Sequence, residues 1–414
     1  MTSTKPDLKP TPKPTPKPTP KPTIAVVGAG LGGLTAAIAL AQRGFAVTVF
    51  EQAARLGEVG AGLTVSRSAQ AVFEELGLME RIRATASLTH SMTFLHYRTG
   101  ATLAGRPDLT DGRWSAEKPA GGIHIHRADL HALLVRRLRE VAPDALVLGK
   151  RLAGMSDTGS PVQLRFADGG EAQADLVIGA DGVRSVVRGH LWGEEAPRFT
   201  GQVAYRFMVP GAIAAPFLGE AGRAAVFLGP GRVFNRYTLR GGDLVNCVGI
   251  TRSDGWTQEG WSTPADIADL VALYEGWHPD VTGLMAAAPS DHLIKWALFD
   301  RPELPGWRRG RTTLLGDAAH PMLPFLGLGA AMAIEDSMIL ARALEASPDA
   351  DGLDLYEAIR RPRVARIAEL SRVQGELSQA RDPDTYDPGS APAQDPTIQA
   401  YDPVTLPLEA EFSA

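Results

Sequence analysis

Gly28, Gly30 and Gly33 stand in the run Gly28-Ala29-Gly30-Leu31-Gly32-Gly33, the spacing G-x-G-x-x-G. In that spacing the first glycine permits a sharp turn and the second lets a diphosphate approach the backbone. The third lets a helix pack closely on a strand. Glu51 follows at about the distance where an acid meets a ribose hydroxyl. A second chemical group lies far along the chain, in Gly316-Asp317-Ala318-Ala319-His320-Pro321 and the following Gly327-Leu328-Gly329. An aspartate at a strand's end suits sugar or polyol hydroxyls, and a helix N-terminus suits an electron-rich group. One site thus fits a diphosphate and the other a ring that becomes anionic on reduction. A flavin dinucleotide has both features, whereas a nicotinamide cofactor would leave the second site unused.

The elements that must position these residues are legible around them. Residues 24–27 are a short apolar run without periodicity, as in a strand buried on both faces. A helix is predicted over 35–42, ended by Gly44, and a second strand over 46–50. Residues 175–179 form another buried strand, ending in Asp181-Gly182, and 311–315 a strand leading into Asp317. A helix is predicted over 330–344, and the polar, Gly- and Pro-rich stretch 106–122 reads as a loop or domain crossing. From 202 to 250 the pattern turns to β, with strands over 202–209, 233–239 and 244–250. Alternation puts Val233, Asn235 and Tyr237 on one face and Phe234, Arg236 and Thr238 on the other; Tyr205 and Phe207 oppose Arg206.

The expected fold is α/β: a Rossmann-like FAD-binding domain with an inserted antiparallel-sheet substrate domain and C-terminal helices. The first would comprise residues 24–89, 121–196 and 295–345, the second 90–120 and 197–294, with 346–414 a C-terminal helix and a tail, loosely ordered from 381 although Tyr401-Asp402 resembles a packed tail motif. Residues 1–23, where lysine recurs every fourth position in a Lys-Pro-Thr-Pro pattern, read as an extended, disordered arm outside the fold. A formal charge of −5 gives no sign of a nucleic-acid or anionic-membrane partner. No apolar run reaches spanning length, and the predicted compartment is the cytoplasm. The single cysteine, Cys247, excludes an internal disulfide and any multi-cysteine metal site; no metal is expected. Monomer and homodimer both remain open.

Four ordered blocks resemble the class A flavoprotein aromatic hydroxylases, most nearly the branch holding salicylate hydroxylase and 6-hydroxynicotinate 3-monooxygenase. They are GAGLGG with Glu51, HRADL at 126–130, DLVIGADGVRS at 175–185 and GDAAHPMLPFLGLGAAMAIED at 316–336; a weaker fifth is 229–248. The resemblance implies FAD, with the glycine loop on the diphosphate, Glu51 on the adenosine ribose and Arg127 a further contact. It also implies Asp181 in a motif serving FAD and reduced nicotinamide, Asp317 on the ribityl chain, and Gly329 and Ala330 at the flavin's pyrimidine edge. Pro324 would lie near the reacting side of the flavin, and His320 beside it or in the framework. Each has a plainer alternative: Arg127 pairing a carboxylate, Asp181 capping the next turn, Asp317 an N-cap, His320 a structural histidine.

The implied activity is hydroxylation of a small aromatic acid or phenol, using NADH or NADPH and O₂ through a flavin C4a-hydroperoxide. Tyr237 matches the branch's active-site tyrosine and would orient or deprotonate substrate. Thr64 and Phe325 stand where the pyridine enzymes carry histidines, and Leu328 replaces the common glutamine, so a pyridine acid gripped by two histidines is disfavoured. Thr64, Tyr205, Arg206 and Arg232 are the substrate candidates, with Arg67 a further cation for a carboxylate. The rival readings are an FAD-dependent reductase or dehydrogenase that inserts no oxygen, and a flavin-binding protein without activity.

Overall fold

Ile24, Ala25, Val26 and Val27 are almost wholly buried, because the strand Thr23–Val27 lies inside a sheet covered on both faces. In the computed structural model, residues 20–57, 61–89, 91–105, 122–219, 222–253, 263–289, 293–392 and 395–408 are described. The sheet has six strands in the order Arg308–Arg309, Thr312–Leu314, Leu176–Gly179, Thr23–Val27, Ala46–Phe50 and Leu146–Val147. All pairings are parallel except the first, at the edge. The strands carrying Gly28, Glu51, Asp181 and Asp317 are therefore neighbours, and those residues all leave the sheet at its carboxyl end, where such sheets bind ligands.

The helix after the glycine loop runs Leu31–Gln42, so it starts at Leu31 and not at the predicted residue 35. Glycine is a poor helix former, but packing overrides propensity here. A Cβ on Gly32 would lie 2.7 Å from the Leu315 side chain and 3.0 Å from Ala333. Only a glycine lets this helix meet the helix Gly329–Ala346 so closely.

The second large sheet has eight strands, in the order Thr263–Pro264, Ile294–Asp300, Arg198–Pro210, Leu244–Arg252, Arg232–Leu239, Ala224–Gly229, Thr93–His96 and Thr102–Gly105. It is antiparallel apart from the pairing of Ala224–Gly229 with Thr93–His96. Helices Ile267–Leu273 and Pro279–Ala286 bury one face through Tyr205, Phe207, Phe234, Tyr274 and Leu284. The other face, with Val226, Val233, Ile250 and Trp296, turns toward the parallel-sheet half. Strands Gly62–Val65, Gly122–His126 and Ser87–Thr89 form a small sheet whose middle strand contacts the large one.

Two terminal expectations change. The tail is held through Leu408: the Arg363 guanidinium stacks 3.7 Å from the Tyr401 ring, and Arg342 donates to the carbonyls of Pro403 and Leu406 at 2.8 and 2.7 Å. At the other end the fold takes in residues before 24. Lys21 sits 4.6 Å over the Phe45 ring, and Thr23 donates to Asp175. The rest of the predicted arm, residues 1–19, lies outside the described residues, as do 106–121 of the predicted loop.

Candidate active site

A cleft of about 550 Å³ runs between the carboxyl end of the parallel sheet and the open face of the antiparallel one. The three glycines play different parts at its rim. Gly28 has φ +105°, and a Cβ there would lie 2.5 Å from the Ala180 carbonyl oxygen. A Cβ on Gly33 would lie 2.1 Å from the carbonyl oxygen of Gly28, so these two make the turn possible. Gly30 has nothing within 4 Å of that position and lines the cleft, leaving bare backbone for a ligand. Glu51 braces the loop: its carboxylate accepts from the N–H groups of Ala29 at 2.9 Å and Ala53 at 2.8 Å. It stands behind the loop and does not line the cleft.

Asp317 follows the strand Thr312–Leu314 and faces the cleft. Its surface opens into the cavity while protein surrounds the rest, and burial raises its pKa; His320, Arg127 and Arg188 pull the other way. Among the described residues nothing donates a hydrogen bond to this carboxylate, which is an acceptor waiting for a ligand hydroxyl. Arg127 opens the helix Arg127–Val141 and lines the same stretch. Gly329 and Ala330 begin the helix Gly329–Ala346, whose start has no side-chain cap, so its first N–H groups point at the cleft. Pro324 lines the cleft in the preceding turn, Pro324–Leu326.

Asp181 is placed differently. Its carboxylate accepts from Ser185 Oγ at 2.5 Å and from the N–H groups of Val186 and Val187 at 2.7 and 3.2 Å. It takes the first two N–H groups of the helix Val186–Trp192 beside the N-cap Ser185, and Gly182, Val183 and Arg184 line the cleft in its stead. His320 also stands off the cleft. Its Nε2 lies 2.6 Å from Asp336, its ring packs 4.8 Å from Trp307, and it joins a buried network. There Arg360 bonds Glu335 at 2.8 Å and Asp336 at 2.7 Å, while Arg363 and Ser68 complete Glu335.

The antiparallel sheet lines the rest. Val233, Asn235 and Tyr237 face the cleft, as does Arg206, whose guanidinium lies 4.6 Å over the Trp296 ring. The Tyr237 ring packs 4.2 Å from His124, itself held by Thr89 at 2.9 Å. Its hydroxyl reaches strand Gly62–Val65, where a Cβ on Gly62 would lie 2.7 Å from it, and Thr64 lines the cleft from that strand. Burial raises the Tyr237 phenol well above its ordinary value, with Arg206 opposing, so the group is a proton-bearing donor at neutral pH. Tyr205 and Arg232 are not brought in. Strand alternation turns Tyr205 into the core under the helices and Arg232 to the face of Phe234. Arg67 does not line the cleft either.

Several lining residues carried no expected role: Trp296, Gln374 and Ser378, with Asn235 placed on the right face but given no part. Gln374 and Ser378 come from the last turns of the helix Ala350–Ser378, and no local signal marks them.

The FAD-binding-domain family matches residues 21–221 and 259–371. A 3-amino-4-hydroxybenzoate 2-monooxygenase of Streptomyces platensis is 37% identical over 356 residues, covering 85% of this chain and 87% of its own. The 6-hydroxynicotinate 3-monooxygenase of Pseudomonas fluorescens is 35% identical over 386 residues, 91% of this chain and 98% of its own. A solved salicylate hydroxylase substrate complex superposes with a TM-score of 0.75 at 25% identity, covering 93% of this chain and 96% of the other. With a bare Gly30, an unbonded Asp317 and an uncapped helix start along one cleft, the residues present fit the cofactor of that family, and the chain belongs to the class A FAD-dependent aromatic hydroxylases.

Proposed function

We propose that this protein hydroxylates a small aromatic acid or phenol, with FAD along the cleft, NADH or NADPH as reductant and O₂ as oxidant. The observation that carries the reading is that one cleft joins the bare glycine loop and Asp317 to an apolar pocket holding Arg206 and Tyr237. Segments 24–89, 121–196 and 295–345 would serve the cofactor, and 90–120 with 197–294 the substrate. Two relatives named for aminohydroxybenzoate and hydroxynicotinate hydroxylation support an acidic aromatic substrate.

The backbone at Gly30 and the start of the helix Leu31–Gln42 would hold the diphosphate. Glu51 keeps a lone pair on each oxygen for ribose hydroxyls, Arg127 would lie alongside, and Asp317 would accept from the ribityl chain. The N–H groups at Gly329 and Ala330 would stabilise negative charge on the reduced ring. When bound, FAD supplies electron transfer from nicotinamide and activation of O₂. The protein's remaining task is to hold the aromatic ring and keep water out. Val226, Val233, Val248, Ile250, Trp296 and Leu298 make an apolar lining that does both. Arg206, fixed on Trp296, would bind the acidic group, and the protonated Tyr237 would orient a ring oxygen or nitrogen by donating to it. Asp181 acts by fixing the edge Gly182–Arg184, and His320 by tying the turn after Asp317 to Asp336.

The test is to purify the protein, identify the flavin released on denaturation, and follow NAD(P)H oxidation and O₂ uptake with a panel of aromatic acids. Substrate-stimulated oxidation with an oxygen-enriched product is expected. Nicotinamide oxidation that leaves the aromatic unchanged would point to the reductase reading instead.

A further inference from the structure

Ala29 is buried and does not line the cleft, although Gly30, Leu31, Gly32 and Gly33 after it all do. Both peptide groups that flank it are fastened from behind the loop. The N–H of Ala29 donates to Glu51 at 2.9 Å, and its carbonyl lies 2.8 Å from Nε2 of His131. A carbonyl oxygen only accepts, so the His131 ring carries a proton on Nε2 and donates it. His131 is buried and, like Glu51, does not line the cleft. It stands one turn after Arg127 on the helix Arg127–Val141, a spacing that puts both on one face. That helix packs against Leu31–Gln42, which brings His131 under the glycine loop.

The peptide joining Ala29 to Gly30 is trans, so its C=O and N–H point in opposite directions. With the carbonyl turned back to His131, the Gly30 N–H is turned toward the cleft. Gly30 is extended, φ −70° and ψ −179°, and its own carbonyl starts the helix by accepting from the Leu34 N–H at 3.0 Å. Its N–H has no partner among the described residues and joins the free N–H groups of the helix's first turn. A missing Cβ leaves room for a ligand at this position, but it also loosens the backbone. Glycine adopts φ of either sign, so the Ala29–Gly30 plane can turn over and present its oxygen to the cleft. An oxygen facing a diphosphate repels it where an N–H would bind it. Turning the plane over breaks the hydrogen bond from His131, which therefore opposes the rotation.

We infer that His131 is a positioning residue for the cofactor: it holds the Ala29–Gly30 peptide with its N–H toward the FAD diphosphate, without touching the cofactor itself. This rests on the placement of the diphosphate at the glycine loop proposed above. Glu51 fixes the preceding peptide, so the loop is set from two sides, by a strand end and by a helix.

The test compares the full-length, FAD-loaded wild type with His131→Leu and His131→Gln. Glutamine offers an amide N–H close to where Nε2 stands, and leucine offers no donor. Two quantities are read: the FAD dissociation constant, from flavin fluorescence on dilution, and the phosphorus NMR resonances of the bound diphosphate. In His131→Leu the dissociation constant should rise about 10-fold or more, with the resonances displaced toward those of free FAD. His131→Gln should return both most of the way to the wild type. A histidine that only packs would lower the melting temperature and leave the phosphorus resonances of the retained flavin in place. Unchanged resonances in His131→Leu would therefore overturn the inference. So would a His131→Gln that melts like the wild type yet loses FAD as His131→Leu does. Should leucine prevent folding, His131→Asn, whose amide falls short of Ala29, takes its place in the comparison. If the wild-type resonances coincide with those of free FAD, the diphosphate does not lie on the loop, and that placement falls as well.

Discussion

Replacing Asp317 separates a ligand-binding carboxylate from a structural one. The side chain faces the cleft, no donor among the described residues bonds it, and burial pushes its pKa up. In the FAD-free protein the carboxylate makes no hydrogen bond and burial costs it more than His320, Arg127 and Arg188 return, so Asp317→Ala should leave the apoprotein's melting temperature unchanged or raise it. With FAD bound, the same change removes a charged acceptor, worth about 1.5–3 kcal/mol. That is about 10- to 150-fold in the dissociation constant. Asp317→Asn keeps a neutral acceptor and should fall between, losing about 0.5–1.5 kcal/mol. Asp181→Ala is the contrast. It removes the acceptor of two helix N–H bonds and of the Ser185 hydroxyl and should lower the apoprotein's stability by about 0.5–2 kcal/mol. The assay is flavin retained on ultrafiltration at graded dilution, beside thermal unfolding with and without added FAD. If Asp317→Ala holds FAD as tightly as the wild type, the assignment fails. If it melts earlier without FAD, the carboxylate is structural after all.

The glycine loop offers a matched pair. Gly30→Ala meets nothing in the protein and should fold normally yet lose FAD, whereas Gly33→Ala drives a Cβ to 2.1 Å from the Gly28 carbonyl and should destabilise the apoprotein itself, as melting curves would show. Tyr237→Phe should keep flavin binding and reduction but lower product formed per nicotinamide consumed, with the difference appearing as H₂O₂; equal coupling would leave Tyr237 a packing residue. Arg360→Met strips two buried carboxylates of a partner and should cost about 3–5 kcal/mol, measured by denaturant unfolding. The pH dependence follows from Asp336: burial alone would raise its pKa, but His320 and Arg360 outweigh that and hold it below the usual range. A depressed folded-state pKa stabilises above the unfolded value of about 4 and the gain is lost as pH falls through the folded one. The wild type should therefore resist acid to a lower pH than Arg360→Met.

The parallel half of the fold was readable because its signals are local. Four apolar residues, three glycines and an acid within 28 positions define strand, turn, helix and strand without reference to anything distant. The strands ending at Asp181 and Asp317 carry the same local stamp. Misplacement came where tertiary packing overrides propensity, as when Leu315 and Ala333 make a helix of the glycines after Gly30. The tail was legible only in part. Its Asp-Pro turns look unstructured alone, with Tyr401-Asp402 the one local sign of packing, and Arg342, Arg363 and Arg366 fasten it down from distant positions.

The pocket for the aromatic ring follows a different logic, and that is why sequence reading reached only part of it. A two-residue alternation correctly sorts Arg206 from Tyr205 and Tyr237 from Phe234, because side-chain direction along one strand is fixed by the backbone. It cannot say that the open face of that sheet meets the end of a helix more than 100 residues later, where Gln374 and Ser378 complete the wall. Nor can it assign His320. The residue sits in the same run as Asp317, but Asp336 draws its ring out of the cleft and into the buried network. Cofactor binding needs backbone shape, which short motifs encode. The proposed substrate pocket draws instead on the strand at Arg206 and the helix end at Gln374, which line one cleft only when the sheet face and the helix end are set side by side.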